Sequence, residues 1–282
     1  MPIFASGNRE LGSLERAWLS LASFLRRSLL THAVVQDRQY TTRYVCETRL
    51  TAYRAVSLWL KEPGTMAWLD QALKPGDRFL DIGANIGIYA LAAAHRVGAG
   101  GRVYAVEPHK PNAISLMRNI LANGFQDRVD VLALPLSDSR TVASFNYTSL
   151  DAAVTGSQFG NLFKDGHSKE FRPAAVELCL GLSVDELVAM KAIEPPALVK
   201  IDVDGIELSI LKGMAALLRS AARPRSIQVE LNVGEHDAIE GFMAQHGYRL
   251  ESRNFTLNGE KQRAAGKPLQ SIAHNAVFVP VS

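Results

Sequence analysis

The stretch Phe79-Leu80-Asp81-Ile82-Gly83-Ala84-Asn85-Ile86-Gly87, with Val103-Tyr104-Ala105-Val106-Glu107-Pro108 after it, decides how this chain is read. An apolar run ends in an acid, turns through glycines four residues apart, and enters an Ala-rich helical pattern. A second apolar run ends in another acid twenty residues after Gly87. This is a β-α-β unit whose strands each end in a carboxylate beside a glycine turn.

Outward from that unit the alternation continues. Strands are predicted at 78–82, 102–106, 129–134, 198–202 and 226–231, with helices at about 86–97, 111–122, 207–220 and 235–246. In the second helix Ala113, Leu116, Met117, Ile120 and Leu121 form one apolar stripe, and Asn123-Gly124 supplies a stop able to take positive φ. Such alternation implies a parallel sheet covered on both faces. Two segments break the rhythm. Between Asp138 and Leu182 there are only β-like pieces around a Gly/Ser/Asp-rich middle, so 139–182 reads as an insertion, a lid or substrate loop. Ser183-Val184-Asp185-Glu186 is a capping box that restarts helix. At the end, 247–251 and 274–280 read as two strands joined without a helix, hence antiparallel neighbours.

Residues 1–62 read as an N-terminal helical or cap region ahead of a domain spanning 63–282. Leu14, Trp18, Leu21, Leu25 and Leu29 fall at helical spacing, an amphipathic helix for packing on the domain or a partner chain. The net charge of +3 over 282 residues, without a Lys/Arg cluster, gives no footprint for nucleic acid. Cys46 and Cys179 stand alone, which suits a reducing compartment and argues against structural zinc. The longest apolar stretch near the N-terminus, Ala17 to Leu25, falls well short of the roughly 20 residues a bilayer needs. No membrane insertion and a cytoplasmic location are therefore expected.

Ligands of open α/β sheets sit beyond the carboxyl ends of the strands. Asp81, Glu107, Asp138, Asp202 and Glu230 all collect there, and so many carboxylates around one crevice call for a cation or hydrogen-bond donors. Neither GxGxxG nor a P-loop lysine is present, and Asp81 would repel a pyrophosphate. S-adenosylmethionine fits better. Its ammonium suits Asp81, its carboxylate suits the free N–H groups near Asn85, and its ribose diol suits Glu107. Gly83, Ala84 and Gly87 let the backbone approach it closely, and Ser137-Asp138 can receive the adenine amino group.

Four segments resemble the FkbM family of S-adenosylmethionine-dependent methyltransferases: FLDIGANIGIYAL (79–91), VYAVEP (103–108), LVKIDVDGIELSILKGM (198–214) and IQVEL (227–231). LSVDELV (182–188) and NAVFVP (275–280) are similar too. Asp204 stands where the family usually has Glu. The resemblance implies an α/β fold of the Rossmann-like class I methyltransferase type, with a mostly parallel seven-stranded sheet, helices on both faces and an antiparallel C-terminal strand. It implies methyl transfer to a hydroxyl of a sugar or other small metabolite, so the partner expected is a small hydroxylated acceptor. Methylation of RNA or protein, and a cofactor-binding scaffold without activity, are the competing readings. A homo-oligomer is compatible with the sequence.

Asp202, ending the fourth strand, is the first candidate for base or acceptor orienter, with Glu230 beside it. Asp202, Glu230 and Asn232 make either a hydrogen-bonded acid network or a hard-cation site; the network is preferred and no metal is assigned. Lys200, inside an apolar strand, needs one of these acids as partner. Glu207 is read as capping the following helix, and His236 as a surface residue.

Overall fold

The structure, a computed structural model, describes residues 31–57, 61–160 and 172–281, with Ser13, Leu14, Ala17, Trp18, Ser20 and Leu21. Those six residues include helical positions, and Leu14, Trp18 and Leu21 are exposed; Leu25 and Leu29 lie outside the described residues. A hairpin of β1 (Thr31–Asp37) and β2 (Tyr40–Cys46) follows, so the region read as helical also contains β structure. The hairpin is tied down by polar groups. Asn119 Oδ1 accepts the Val45 N–H at 2.7 Å, and Asn123 exchanges hydrogen bonds with the Arg43 backbone. Arg96, buried, holds Asp37 at 2.7 Å and Asp70 through Nε at 2.8 Å, bridging the hairpin to the helical layer. α1 (Arg49–Val56) starts with a Thr48 capping box, and α2 (Pro63–Ala72) starts with proline at its first turn, where no N–H is missed.

The chain then alternates: β3 (Arg78–Ile82), α3 (Ile88–Val97), β4 (Arg102–Val106), α4 (Lys110–Asn123) and β5 (Val129–Leu132). The 139–182 excursion is β6 (Thr141–Tyr147), the two-residue β7 (Gln158–Phe159) and β8 (Ala175–Gly181), an antiparallel sheet of its own ordered β7-β6-β8. The expected Ser183 capping box opens α5 (Val184–Ala189). β9 (Leu198–Ile201), α6 (Glu207–Lys212), α7 (Ala215–Arg219), β10 (Ser226–Leu231), α8 (His236–Gln245), β11 (Tyr248–Asn254), α9 (Leu257–Ala264) and β12 (His274–Pro280) complete it.

The main sheet runs β11-β12-β10-β9-β3-β4-β5. β12 is antiparallel to both its neighbours, while β10, β9, β3, β4 and β5 pair in parallel. This is the mostly parallel seven-stranded sheet with an antiparallel C-terminal strand that the resemblance implies, with the strand order reversing between β9 and β3. Period-two alternation sends Phe79 to one core with Met66, Leu91 and Leu116, and sends Leu80 and Ile82 to the other with Val199, Leu211 and Ile227. Asp81 and Lys200, side by side in register, share the Phe79 face.

Three sequence expectations are corrected. The last two strands are joined through α9, not without a helix, yet they still pair antiparallel, because this short helix is not a crossover between parallel strands. Met117 and Leu121 are exposed, so the buried stripe of α4 narrows to Ala113, Leu116 and Ile120. The helix predicted over 207–220 is broken at Gly213-Met214, because Gly213 lies against the Ser137 carbonyl and a Cβ there would stand 2.2 Å from that oxygen.

Arg96→Ala would strand Asp37 and part of Asp70 without their cation. The expected cost is about 3–5 kcal/mol, the usual penalty for breaking a buried ion pair, read by urea unfolding of variant and wild type.

Candidate functional site

Beyond the carboxyl ends of β3, β4 and β9 the structure opens two adjoining chambers. The first, about 700 Å³ including its mouth, is lined by Gly83, Glu107, His109, Leu136 and Phe159 among others. The second, about 1030 Å³ by the same measure, lies against Arg54, Lys61, Glu62, Ala84 and Tyr89. Gly83, Asn85, Thr155, Asp202 and Asp204 border both.

The glycine turn has a steric reason. Gly83 sits at φ +84°, and a Cβ there would come within 1.9 Å of the Asp202 carbonyl oxygen, where the ends of β3 and β9 converge. The Gly83 and Ala84 N–H groups both donate to the Val106 carbonyl at 3.0 Å. Gly87, at φ +91°, caps α3 without a side-chain bond and lies against Leu116. Asn85 holds φ +52°, a conformation Asn tolerates, and its N–H donates to Glu107 Oε2 at 2.7 Å. The His109 N–H donates to Glu107 Oε1 at 2.8 Å. Glu107 is thus fixed in the chamber wall with acceptor capacity left on each oxygen. Burial pushes its carboxyl up to about 7, against the backbone N–H groups that favour the anion.

A strap from the β6–β7 loop crosses the crevice. The Ala153 N–H donates to Asn112 Oδ1 at 2.7 Å, and the Val154 carbonyl accepts from Asn85 Nδ2 at 3.1 Å and Asn112 Nδ2 at 3.0 Å. The Gly156 N–H donates to Asp204 Oδ2 at 2.5 Å, and Arg54 Nε donates to the Ala153 carbonyl at 2.6 Å. Ala153 carries φ +71°, strain that these bonds hold in place.

Behind the shared wall is an acid network around one cation. Lys200 is fully buried; its Nζ donates to Asp202 Oδ2 at 2.5 Å and lies 4.7 Å from the Tyr89 ring centre. Burial opposes the charges of both partners, yet Lys200 stays above its ordinary range and Asp202 below the usual carboxylate range, each held by the other. Glu62 accepts from Thr65 Oγ1 at 3.2 Å and Asn275 Nδ2 at 3.3 Å. Burial pushes Asp81 up to about 6 and Glu207 up to about 8, and it drives Glu230 well above its range, aided by Asp202 and Glu207.

Several expected residues therefore stand elsewhere than the sequence placed them. Asp81 is 0% exposed beneath the turn, without a hydrogen bond of ordinary geometry, and lines neither chamber. Ser137 and Asp138 line neither chamber; Ser137 Oγ and Ser139 Oγ bond Asp138 Oδ1 at the surface, and Pro135 and Leu136 face the first chamber in their place. The reason is that the Ser137 N–H is engaged by the Leu182 carbonyl, which turns the chain away. Glu230 lines neither chamber. Glu207 is buried in the acid network, its Oε1 accepting from Gly205 N–H at 3.4 Å and Asn232 Nδ2 at 3.3 Å, its Oε2 without a partner; capping is the lesser part of its placement. His236 is buried, its Nε2 3.4 Å from His274 Nδ1. Sequence reading missed Glu62, Arg54 and Tyr89; the strap falls within the 139–182 segment read as a lid or substrate loop. Glu62-Pro63, an acid at a proline-started helix, was the one local signal available.

A sulfonium-bearing nucleoside fits this arrangement: Asp202 and Asp204 stand where the two chambers meet, and Glu107 offers paired acceptors beside the first. Among the described residues no group of three or more His, Cys, Asp or Glu is placed to hold a metal ion, and no helix is long and apolar enough to cross a membrane. Residues 81–250 match the family described as the methyltransferase FkbM domain.

The chain belongs to the FkbM methyltransferase family.

Three relatives are similar at low identity. The hexuronic acid methyltransferase AglP of Haloferax volcanii is 24% identical over 219 residues, covering 78% of this chain and 81% of AglP. The 31-O-demethyl-FK506 methyltransferase FkbM of Streptomyces tacrolimicus is 26% identical over 230 residues, covering 71% of this chain and 81% of that protein. The AMB antimetabolite synthetase AmbE of Pseudomonas aeruginosa is 26% identical over 220 residues; that match covers 66% of this FkbM-family chain and 10% of AmbE.

The raised carboxyl of Glu207 predicts a pH signature. The folded chain keeps a proton that the unfolded chain releases near 4.5, so this residue's contribution to stability falls as pH rises from there to about 8. Glu207→Gln should gain on wild type between pH 5 and 8.5 in urea unfolding; a difference flat with pH would show that Glu207 titrates normally.

Proposed function

We propose that this chain transfers the methyl group of S-adenosylmethionine to a hydroxyl of a small metabolite, a sugar being the leading class. The observation that carries this reading is Glu107. Both its oxygens are pinned by backbone N–H groups beside the glycine turn, in a chamber that opens at Asp202 into a second one. The adenine would lie by Pro135, Leu136 and Phe159, the ribose diol on Glu107, and the aminoacyl end by Ala84, Asn85 and the start of α3. Bound there, the cofactor would supply an electrophilic methyl on sulfur. The protein's part is to align an acceptor oxygen with it, and alignment of this kind accounts for much of such a reaction's acceleration.

Asp202 is the residue proposed to receive the acceptor. Its pairing with Lys200 keeps it anionic, which suits accepting a hydrogen bond from the hydroxyl and orienting it, and makes it a weak base. Glu230, held protonated by burial and its acidic neighbours, is proposed as support for the Asp202 charge state, not as a base. The relatives AglP and FkbM carry names that join methyl transfer to hydroxyl-bearing molecules, which supports a hydroxyl acceptor here. The net charge of +3 supports a small acceptor over a nucleic acid, and the cytoplasm is the proposed location.

Calorimetric titration with S-adenosylhomocysteine and NAD tests the cofactor. Binding of the first alone is expected, weakened at least about tenfold, or ~1.4 kcal/mol, by Glu107→Ala. Folded protein that binds neither would contradict the methyltransferase reading, and binding without turnover on any acceptor would put the inactive cofactor-binding scaffold first. Asp202→Asn separates the roles: turnover should fall with cofactor affinity nearly unchanged, and an equal loss of both would move Asp202 into the cofactor site.

A further inference from the structure

The second chamber has a wall that the cofactor reading does not use. Leu50, Tyr53, Arg54 and Ser57 all border it, at the i, i+3, i+4, i+7 spacing of one helical face, so α1 and its C-cap present a continuous stripe to the chamber. Tyr53 is 61% exposed and Leu50 39%, an aromatic and an aliphatic side chain left bare beside polar groups. Arg54 is the unusual member. Its Nε is spent on the Ala153 carbonyl, which locks the guanidinium to the strap, while its terminal nitrogens make no hydrogen bond or ion pair with any described residue. Lys61, on the same chamber, gives one contact to Glu62 Oε1 at 3.2 Å with its side chain 51% exposed, leaving further donors.

The charges of Arg54 and Lys61 act on Asp202 and Asp204, and Lys61 pairs with Glu62, but among the described residues no acid makes an ion pair with Arg54, and each has other partners. Asp202 has Lys200, Asp204 accepts the Gly156 N–H, and Glu62 has Thr65 and Asn275. The carboxylate of the cofactor has its own donors at the start of α3, where Ile88 and Tyr89 border the chamber and no side chain caps the helix. An oriented guanidinium with free paired N–H groups, next to an ammonium, is the arrangement that binds carboxylate or phosphate oxygens. Tyr53 beside it suits the apolar face of a ring.

We propose that Arg54 and Lys61 form an anion-recognition site for the methyl acceptor, so that the preferred acceptor carries a carboxylate or a phosphate in addition to the hydroxyl placed at Asp202, with its ring against Tyr53. This rests on the methyltransferase reading above and adds the charge of the substrate to it. Arg54 and Lys61 determine specificity; they do not touch the transferred methyl.

The test titrates full-length protein saturated with S-adenosylhomocysteine with D-glucuronate, D-glucose 6-phosphate and D-glucose, following saturation-transfer NMR. At least one anionic sugar is expected to bind about tenfold or more tighter than glucose, and the two anionic arms tell carboxylate from phosphate. Arg54→Gln should abolish that preference while S-adenosylhomocysteine affinity stays within about twofold of wild type. Arg54→Lys, which keeps the charge, should restore part of it, a rescue that a purely structural bond to the strap would not give. Lys61→Gln should lower the preference without touching the cofactor. Equal binding of all three sugars, or a preference that survives Arg54→Gln, overturns the proposal. Loss of S-adenosylhomocysteine affinity in Arg54→Gln overturns it by assigning Arg54 to the cofactor's carboxylate. Wild type that binds no S-adenosylhomocysteine overturns the methyltransferase reading, and this inference with it.

Discussion

The ammonium of Lys200, buried in β9 at the middle of the sheet, is the constraint on which the rest of the site depends. A buried cation is tolerated only with hydrogen-bonded anions around it, and Asp202 supplies the direct partner. That bond fixes the side chain of Asp202 at the end of β9, where both chambers meet. Asp81 and Glu62 add charge from β3 and from the start of α2, and the Glu62 carboxylate ties that helix to β12 through Asn275. One buried cation therefore organises four elements. Lys61 adds a second cation at Glu62 from the chamber side. Burial, with a smaller contribution from Asp202, raises the carboxyl of Asp81 even so, against the pull of Lys200.

The strap turns an open strand-end crevice into two compartments. A doubly wound sheet by itself offers a groove at the point where strand order reverses, here between β9 and β3. The β6–β7 loop crosses that groove and is bonded to the glycine turn through Asn85, to α4 through Asn112, to α1 through Arg54 and to the β9 end through Asp204. On the proposed reading, the adenosine of the cofactor and the acceptor lie on different sides of one short segment. Asp202, Asp204, Gly83 and Asn85 are shared between them, and that is where a transferred group would pass.

The fold was legible wherever sequence periodicity and burial coincide. β3 and β4 are apolar runs closed by glycine and proline, and their helices carry stripes, so the parallel sheet and its antiparallel end followed from pattern. The position of Glu107 in the chamber wall was legible too, as an acid ending the second strand. The burial of Asp81 was not, because a strand-end acid is the same in sequence whether it borders the crevice or lies under the turn, and its register with Lys200 decides. The surface position of Ser137 and Asp138 was hidden for a related reason, the pairing of Ser137 with Leu182 being a contact between distant segments. Arg54, Glu62 and the strap reach the site from outside the β-α-β frame, and no local pattern announces such contacts.

The account centres on the division of labour across the strap, and a crystal structure of the S-adenosylhomocysteine complex tests it most directly. The account predicts adenine between Leu136 and Phe159, both ribose hydroxyls within hydrogen-bond distance of Glu107, and the thioether sulfur directed past Asp202 into the chamber bordered by Arg54. Adenosine seated in that second chamber, or ribose away from Glu107, would contradict it.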